Sequence, residues 1–129
     1  MYLHVHYVQN SLKPFLIIQL NVCLIPPPIG KLFILLHLDL FENAFSGRIP
    51  LDFGQLKALR MISLGNNVLD GSIPKELCNC KRLQTLDIGD NNLRGSVPPE
   101  LGHMVQLESL LLYENPLSGQ TPQEIGCLV

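Results

Sequence analysis

Few residues of this chain have side chains and spacings suited to catalysis or metal binding. His4, His6 and Cys23 could ligate a metal ion, but they supply only three of the four ligands that a structural zinc site needs. His37 and His103 have neither a nucleophile nor a carboxylate at a catalytic spacing, so we expect them to face solvent. We therefore predict no catalytic residue, no metal site and no cofactor, and a protein that is not an enzyme.

The cysteines do not predict a disulfide-bonded scaffold or a zinc site. The chain has four of them, which is too few for a disulfide-dense scaffold. Cys78 and Cys80 are one residue apart, which is poor geometry for a mutual disulfide, and no second ligand pair follows at a zinc spacing. The redox state of these thiols stays open at this point.

Composition excludes several classes of protein. Hydrophobic residues make up 47% of the 129 residues, charged residues make up 16%, and the net charge is −2, which together indicate a folded chain that does not bind nucleic acid. The apolar stretch 15–25 is shorter than the roughly 20 residues of a transmembrane helix. It is also a weak signal peptide, because Lys13 is the only preceding lysine and no small-residue cleavage site follows.

The strongest signal in the chain is a period of 24 residues. The units follow the template L-x-x-L-x-L-x-x-N-x-L-x-G-x-I-P, with one clear failure, Thr121 in place of Ile or Val. Four residue types recur at this spacing: Leu35, Leu59, Leu83 and Leu107; Asn43, Asn67, Asn91 and Asn115; Gly47, Gly71, Gly95 and Gly119; Pro50, Pro74, Pro98 and Pro122.

Each part of the template has a physical reason. The L-x-x-L-x-L segment alternates apolar and variable residues, which predicts a half-buried strand, and stacked units form a parallel sheet. The Asn amide can satisfy backbone groups that a sharp turn leaves unpaired, so the four asparagines should form a structural ladder. Gly permits a backbone conformation that other residues resist, and Pro stops helix formation, so we expect short 3₁₀ turns on the far side.

The repeat resembles the plant-specific class of leucine-rich repeats, which forms the ectodomains of plant receptor-like kinases and receptor-like proteins, and also the secreted polygalacturonase-inhibiting proteins. The resemblance implies an α/β repeat solenoid, a right-handed superhelix with a parallel sheet on its concave face and 3₁₀ turns on its convex face. It implies protein or peptide recognition in signalling, outside the cell or at its surface. The alternative is a secreted inhibitor of a cell-wall hydrolase.

The period also predicts how the chain is divided. Residues 1–23 match the repeat poorly and form an aberrant leader, and residues 24–129 form the solenoid, with a partial unit at 24–34. Full units occupy 35–58, 59–82 and 83–106, and a shortened unit occupies 107–129. Lacking the family's usual cysteine-containing cap, the chain is expected to be a fragment whose exposed apolar ends favour aggregation.

Binding by solenoids of this kind is expected at the variable positions of the concave strands. These positions hold six of the eleven acids but only one of the nine basic residues, which predicts an acidic face for a basic peptide, with aromatic residues toward its ends. The candidate binding residues are His37, Asp39, Phe41, Glu42, Arg60, Asp87, Asp90, Glu108, Leu111, Tyr113 and Glu114. Within the repeat, Cys80 stands at an inward Leu position and should be buried, whereas Cys78 stands at a convex Gly position and should be partly exposed.

Overall fold

A computed structural model describes residues 5–10, 13–18, 23–25 and 27–125. The three possible metal ligands His4, His6 and Cys23, and the segment considered as a signal peptide, lie wholly or partly outside the described residues and side chains. The end of the fourth unit, residues 126–129, lies outside them as well.

Short strands and 3₁₀ segments alternate along the described chain. The strands are β1 (Val5–Asn10), β2 (Lys13–Ile18), β3 (Cys23–Leu24), β4 (His37–Asp39), β5 (Phe45–Arg48), β6 (Met61–Ser63), β7 (Val68–Asp70), β8 (Thr85–Asp87) and β9 (Ser109–Leu111). The 3₁₀ segments are η1 (Pro27–Lys31), η2 (Leu51–Gln55), η3 (Lys75–Asn79), η4 (Pro99–His103) and η5 (Gln123–Ile125). This alternation confirms the predicted solenoid with a parallel sheet on one side and 3₁₀ turns on the other.

The concave sheet has six strands in the order β1-β2-β4-β6-β8-β9. From β4 onward the pairing is parallel with an offset of 24 residues, as in Leu38, Ile62, Leu86 and Leu110, which lie side by side. The hairpin of β1 and β2 extends the same sheet, but β2 pairs with β4 at an offset of 22 residues. The irregular sequence at this end therefore continues the sheet without keeping the period.

The core is a single apolar column that runs through all the coils. The inward strand residues Leu38, Leu40, Ile62 and Leu86 are fully buried, whereas their neighbours Asp39 and Asp87 are half-buried on the other face. This is the alternation that a two-residue side-chain period produces. Because each coil buries its apolar residues against the coils on both sides, the outward face of the sheet is held rigidly in place.

The asparagine side chains make the same hydrogen bonds in successive coils. The side-chain nitrogen of Asn91 donates to the carbonyl oxygens of Leu64 (3.0 Å), Ile88 (3.3 Å) and Gly89 (3.1 Å). Its side-chain oxygen accepts from the backbone N–H of Leu69 at 2.9 Å. Two of these partners belong to the preceding coil, so the amide closes a bend of its own coil and also ties that coil to the one before it.

Asn67 and Asn115 repeat this pattern one coil earlier and one coil later. Asn67 donates to Leu40 and accepts from the N–H of Phe45, and Asn115 donates to Ile88 and accepts from the N–H of Leu93. Asn43 donates to the carbonyl oxygens of Leu40 and Phe41 within its own coil. From the second unit onward the ladder is therefore directional, since Asn67, Asn91 and Asn115 each reach toward the preceding, amino-terminal coil.

Each bend contains two residues with a left-handed backbone. The glycines at the 24-residue spacing have positive φ, from 75° at Gly47 to 81° at Gly119, which explains why glycine stands there. The residue before each ladder asparagine also has positive φ, between 50° and 56°, namely Glu42, Asn66, Asp90 and Glu114. Asn and Asp adopt this conformation more readily than most side chains do.

A second sheet, which the template did not predict, lies beside the bends. It contains β3, β5 and β7 in parallel, and a bridge between Gly95 and Leu117 continues it. Its hydrogen bonds join backbone atoms of successive coils, for example the N–H of Asn92 to the carbonyl of Leu69 at 2.8 Å. These strands lie at the glycine positions of the template, which are typical of turns, so the pattern does not predict strands there.

Candidate functional site

The outward positions of the concave sheet form parallel rows of side chains. One row contains Asp39, Ser63, Asp87 and Leu111, which pair in register across β4, β6, β8 and β9. Adjacent strands are about 4.8 Å apart, so the Cα atoms of Asp39 and Asp87 stand about two strand spacings apart in this row. The structure therefore places these two predicted binding residues on one surface.

A neighbouring row holds the two aromatic residues with glycines between them. Phe41, Gly65, Gly89 and Tyr113 stand at the same position of successive coils. The side chains of Phe41 and Tyr113 are 39% and 51% exposed, whereas both glycines are buried. The sheet thus carries two accessible rings on either side of a floor without side chains.

Each ring lies over the glycine next to it. A Cβ atom added to Gly65 would be 3.1 Å from Cδ2 of Phe41, and one added to Gly89 would overlap Cε1 of Tyr113. The two rings therefore lean toward each other across the strands of Gly65 and Gly89. Any side chain at either glycine would displace a ring or a carboxylate.

The carboxylate of Asp87 lies at this glycine floor. Its two oxygens are 3.0 and 3.1 Å from the Cβ position of Gly65, and Oδ1 accepts the N–H of Gly89 at 3.0 Å. Burial raises the pKa of the Asp87 carboxyl above its ordinary value; the hydrogen bond from Gly89 opposes this rise in pKa and the charge of Asp39 adds to it. A cation bound here would stabilise a carboxylate that is already partly desolvated.

Asp39 is held by a similar local hydrogen bond. Its Oδ1 accepts the backbone N–H of Phe41 at 3.1 Å, which fixes the carboxylate beside the aromatic ring two residues on. His37 precedes it on the same face of β4 and is half-buried. His37, Asp39 and Phe41 are spaced two residues apart along the chain, so their side chains share the outward face of the sheet.

The remaining candidates lie at the two ends of the strands. Three acidic residues lie in the left-handed bends just after the strands, where their exposed side chains are beyond the edge of the sheet. They are Glu42, Asp90 and Glu114. Arg60 and Glu108 occupy the opposite end, before β6 and β9, and both are exposed. Leu111 is 40% exposed in the row of Asp87. The candidates thus divide into a central group on the sheet and two marginal groups.

Two glycines were missed as site residues. Gly65 and Gly89 are not among the predicted binding residues, yet the rings lie over them because they have no side chains. The signal was present in the sequence, because an aromatic residue, two glycines and a second aromatic residue follow one another at the 24-residue spacing. The pattern alone does not predict a site, because the spacing of the residues does not show in which direction each ring lies.

On the convex side of the described part, a cleft of about 330 Å³ lies between η3 and η4. It is lined by residues that include Cys78, Lys81, Glu100 and His103. The expectation that Cys78 is partly exposed is wrong: it is buried, since its position faces the next coil. Burial is the main cause of its raised pKa, and the nearby charge of Glu100 adds to the rise.

Cys80 is buried as expected for a residue in an inward Leu position. Its thiol contacts the carbonyl oxygen of Phe53 at 3.1 Å, and burial raises its pKa to about 11. Cys78 and Cys80 are both free thiols. Within the described ranges, no three His, Cys, Asp or Glu side chains are grouped so as to hold a metal ion. None of the helices in the described part has the length and apolar character that crossing a membrane requires.

Comparison with known families gives a clear match. The family described as Leucine Rich Repeat matches residues 35–56, 58–80, 82–104 and 106–128, which together are more than half of the chain. A search of curated proteins gave no match.

Solved structures of plant receptor ectodomains are similar to the chain. The leucine-rich-repeat ectodomain of the plant membrane receptor kinase GASSHO1/SCHENGEN3 from Arabidopsis thaliana, in complex with CASPARIAN STRIP INTEGRITY FACTOR 2, is 40% identical with a TM-score of 0.81. The Arabidopsis receptor kinase HAESA, in complex with the peptide hormone IDA and the co-receptor SERK1, is 38% identical with a TM-score of 0.79. The alignments cover 86% and 83% of this chain but only 14% and 18% of those two chains.

A protein of another kind is also similar. A plant ice-binding protein is 31% identical with a TM-score of 0.84, over 97% of this chain and 42% of its own length. The solenoid alone therefore does not specify a ligand, because the ligand is determined by the side chains on its surface.

Proposed function

This chain belongs to the leucine-rich-repeat family, and from that premise we propose that its concave face binds a basic peptide as part of a plant receptor-like ectodomain. The proposal extends to a location outside the cell or at its surface, and to a role in recognition without catalysis. The receptor ectodomains described above support it, because one of them, that of HAESA, is in complex with a peptide hormone.

The observation that carries the proposal is the charge of the concave face. Asp39 and Asp87 stand on the sheet, Glu42, Asp90 and Glu114 follow along one margin, and Glu108 lies at the other. Arg60 is the only Lys or Arg at the variable strand positions. A concave surface of one charge sign attracts ligands of the opposite sign and steers their approach.

Charge reversal on the two faces of the solenoid tests this proposal. The probe is a synthetic peptide, Gly-Arg-Gly-Lys-Gly-Arg-Gly, titrated against the full chain by calorimetry at low ionic strength. The concave variant combines Asp39→Lys, Asp87→Lys and Glu114→Lys. The control combines Asp70→Lys, Glu76→Lys and Glu100→Lys, which add the same charge away from the concave face.

We expect the concave variant to lose binding of the peptide by tenfold or more, and the control to change it by less than threefold. Rising salt should weaken binding, because exposed charges more than about 10 Å apart are screened at 0.1 M salt. Equal losses in the two variants would mean that net charge and not the concave face binds the peptide. Binding that survives concave charge reversal would refute the proposal.

A further inference from the structure

The centre of the concave face combines a carboxylate and an aromatic ring at short range. Both oxygens of Asp87 and Cδ2 of Phe41 are about 3 Å from the same point, the Cβ position of Gly65. They are therefore no more than about 6 Å apart, so a cation paired with the carboxylate can also lie within the roughly 6 Å over which it interacts with the ring. Because position 65 is glycine, the ring and the carboxylate can both approach the backbone this closely.

The second ring approaches from the other side of the carboxylate. Tyr113 lies over Gly89, and the N–H of Gly89 is the group that donates to Asp87. Asp87 thus lies between two exposed rings, and its Oδ2 makes no hydrogen bond with another described residue. We call this arrangement of Phe41, Gly65, Asp87, Gly89 and Tyr113 the glycine notch.

The chemistry of the glycine notch matches one side chain better than others. A guanidinium group is planar, stacks on aromatic rings and donates two hydrogen bonds to a carboxylate at once. A lysine ammonium is compact and strongly hydrated, so it gains less from flat rings beside a carboxylate. An uncharged side chain would leave the partly desolvated Asp87 without a compensating charge.

We propose that the glycine notch is an arginine subsite, in which the guanidinium of a bound peptide contacts the ring of Phe41 and pairs with the Asp87 carboxylate. Tyr113 bounds the subsite on its other side. This inference rests on the proposed function. It adds which residue of the peptide is recognised and where on the concave face it binds.

Three peptides that differ only in one side chain test the subsite. The probes are acetylated, amidated pentapeptides with Arg, Lys or citrulline between two glycine pairs, and citrulline has nearly the shape of arginine without its charge. Each is titrated against the full ¹⁵N-labelled chain while backbone amide shifts are followed. We expect saturable shifts at Gly65 and Gly89 for the arginine peptide, several-fold weaker binding for lysine, and none for citrulline.

Ring-removal variants separate this inference from the proposed function. Phe41→Leu and Tyr113→Leu should each weaken the arginine peptide by about threefold to tenfold. The control is Phe33→Leu, because Phe33 is exposed outside the concave strands and its replacement should leave affinity unchanged. The amide spectrum of each variant reports whether the fold is kept. Asp87→Asn, which can still accept the N–H of Gly89, should abolish the saturable shifts.

The outcomes are distinct. Loss of binding on concave charge reversal, together with ring variants that bind the arginine peptide like the unaltered chain, would overturn the arginine subsite and keep the basic-peptide function. Equal binding of the arginine and citrulline peptides would also overturn the subsite. If neither these probes nor the longer basic peptide binds, both proposals fall.

Discussion

The ladder asparagines have similar hydrogen bonds but different environments. Asn91 is buried at 6% exposure, whereas Asn115 is half-buried, although each side-chain nitrogen donates to three carbonyl oxygens. The cost of an unsatisfied group rises when water cannot replace its partner. A comparison of Asn91 with Asn115 therefore shows the effect of burial on stability, because the two side chains make equivalent hydrogen bonds.

We expect Asn91→Ala to lower the free energy of unfolding by about 1–3 kcal/mol, because it leaves buried backbone groups without partners. Asn115→Ala should cost less, since water can reach the carbonyl oxygens that it exposes. Urea unfolding followed by circular dichroism measures both. Equal shifts of the urea midpoint in the two variants would show that burial does not determine how much each asparagine stabilises the fold.

The buried thiols lead to a second prediction at this scale. With a pKa of about 11, Cys80 should be a thiolate in only about one molecule in a thousand at pH 8, and its burial also blocks access. Iodoacetamide at pH 8 should therefore leave Cys80 unmodified in the folded chain and alkylate it in urea, as measured by mass spectrometry of peptides. The same rate in both conditions would contradict the buried position.

Among elements, η1 and η2 depend on glycine for close packing against the next coil. A Cβ atom on Gly54 would be 2.5 Å from the carbonyl oxygen of Glu76 in the next coil, and Gly30 has the same relation to Asp52. The Lys57 side chain donates to the carbonyl oxygens of Gly54 and Asn79, which joins η2 to η3. The segments η1, η2 and η3 thus form a tight backbone stack.

Gly54→Ala should destabilise the chain by about 1–3 kcal/mol, because the neighbouring backbone must move to accept one methyl group. Gln55→Ala, at the exposed neighbouring position of η2, is the matched control and should stay within about 0.5 kcal/mol. Thermal unfolding of the two variants makes the comparison. A milder effect at Gly54 than at Gln55 would rule out close stacking.

The elements differ in how far they could be predicted from sequence. The concave strands and 3₁₀ segments followed from side-chain periods, because the alternation around Leu38 and Leu40 and the proline after Ile49 act locally. The second sheet could not be predicted, because β5 contains Gly47, a residue type typical of turns, and β7 ends next to Gly71 at the same position of the repeat. The acidic surface was visible in the strand positions, but the inclination of Phe41 and Tyr113 toward the glycines depends on packing between coils.

At the scale of the whole molecule, each coil contacts only its neighbours, so stability should vary along the solenoid. Matched backbone bonds allow a direct comparison: the N–H of Thr85 donates to Arg60 at 3.1 Å and the N–H of Ser109 donates to Gln84 at 3.0 Å. The first lies between β6 and β8, and the second joins β8 to β9, the last strand of the concave sheet in the described part.

Hydrogen exchange of these two amides should differ despite their similar bond lengths. We expect Thr85 to exchange about tenfold more slowly than Ser109, because opening the bond at Thr85 disrupts a coil that has neighbours on both sides. Exchange followed by NMR at neutral pH measures the ratio. Equal rates would show that the coils unfold as one cooperative unit.

The direction of the asparagine ladder bears on how such a chain is made. Synthesis on the ribosome proceeds from the amino terminus, so the bend of Leu64 and Leu69 emerges before Asn91, which donates to the carbonyl of Leu64 and accepts from the N–H of Leu69. Each coil that carries Asn67, Asn91 or Asn115 therefore completes the hydrogen bonding of the coil that left the ribosome just before it. The solenoid can grow by addition of one coil at a time, with only the most recent bend awaiting its partner.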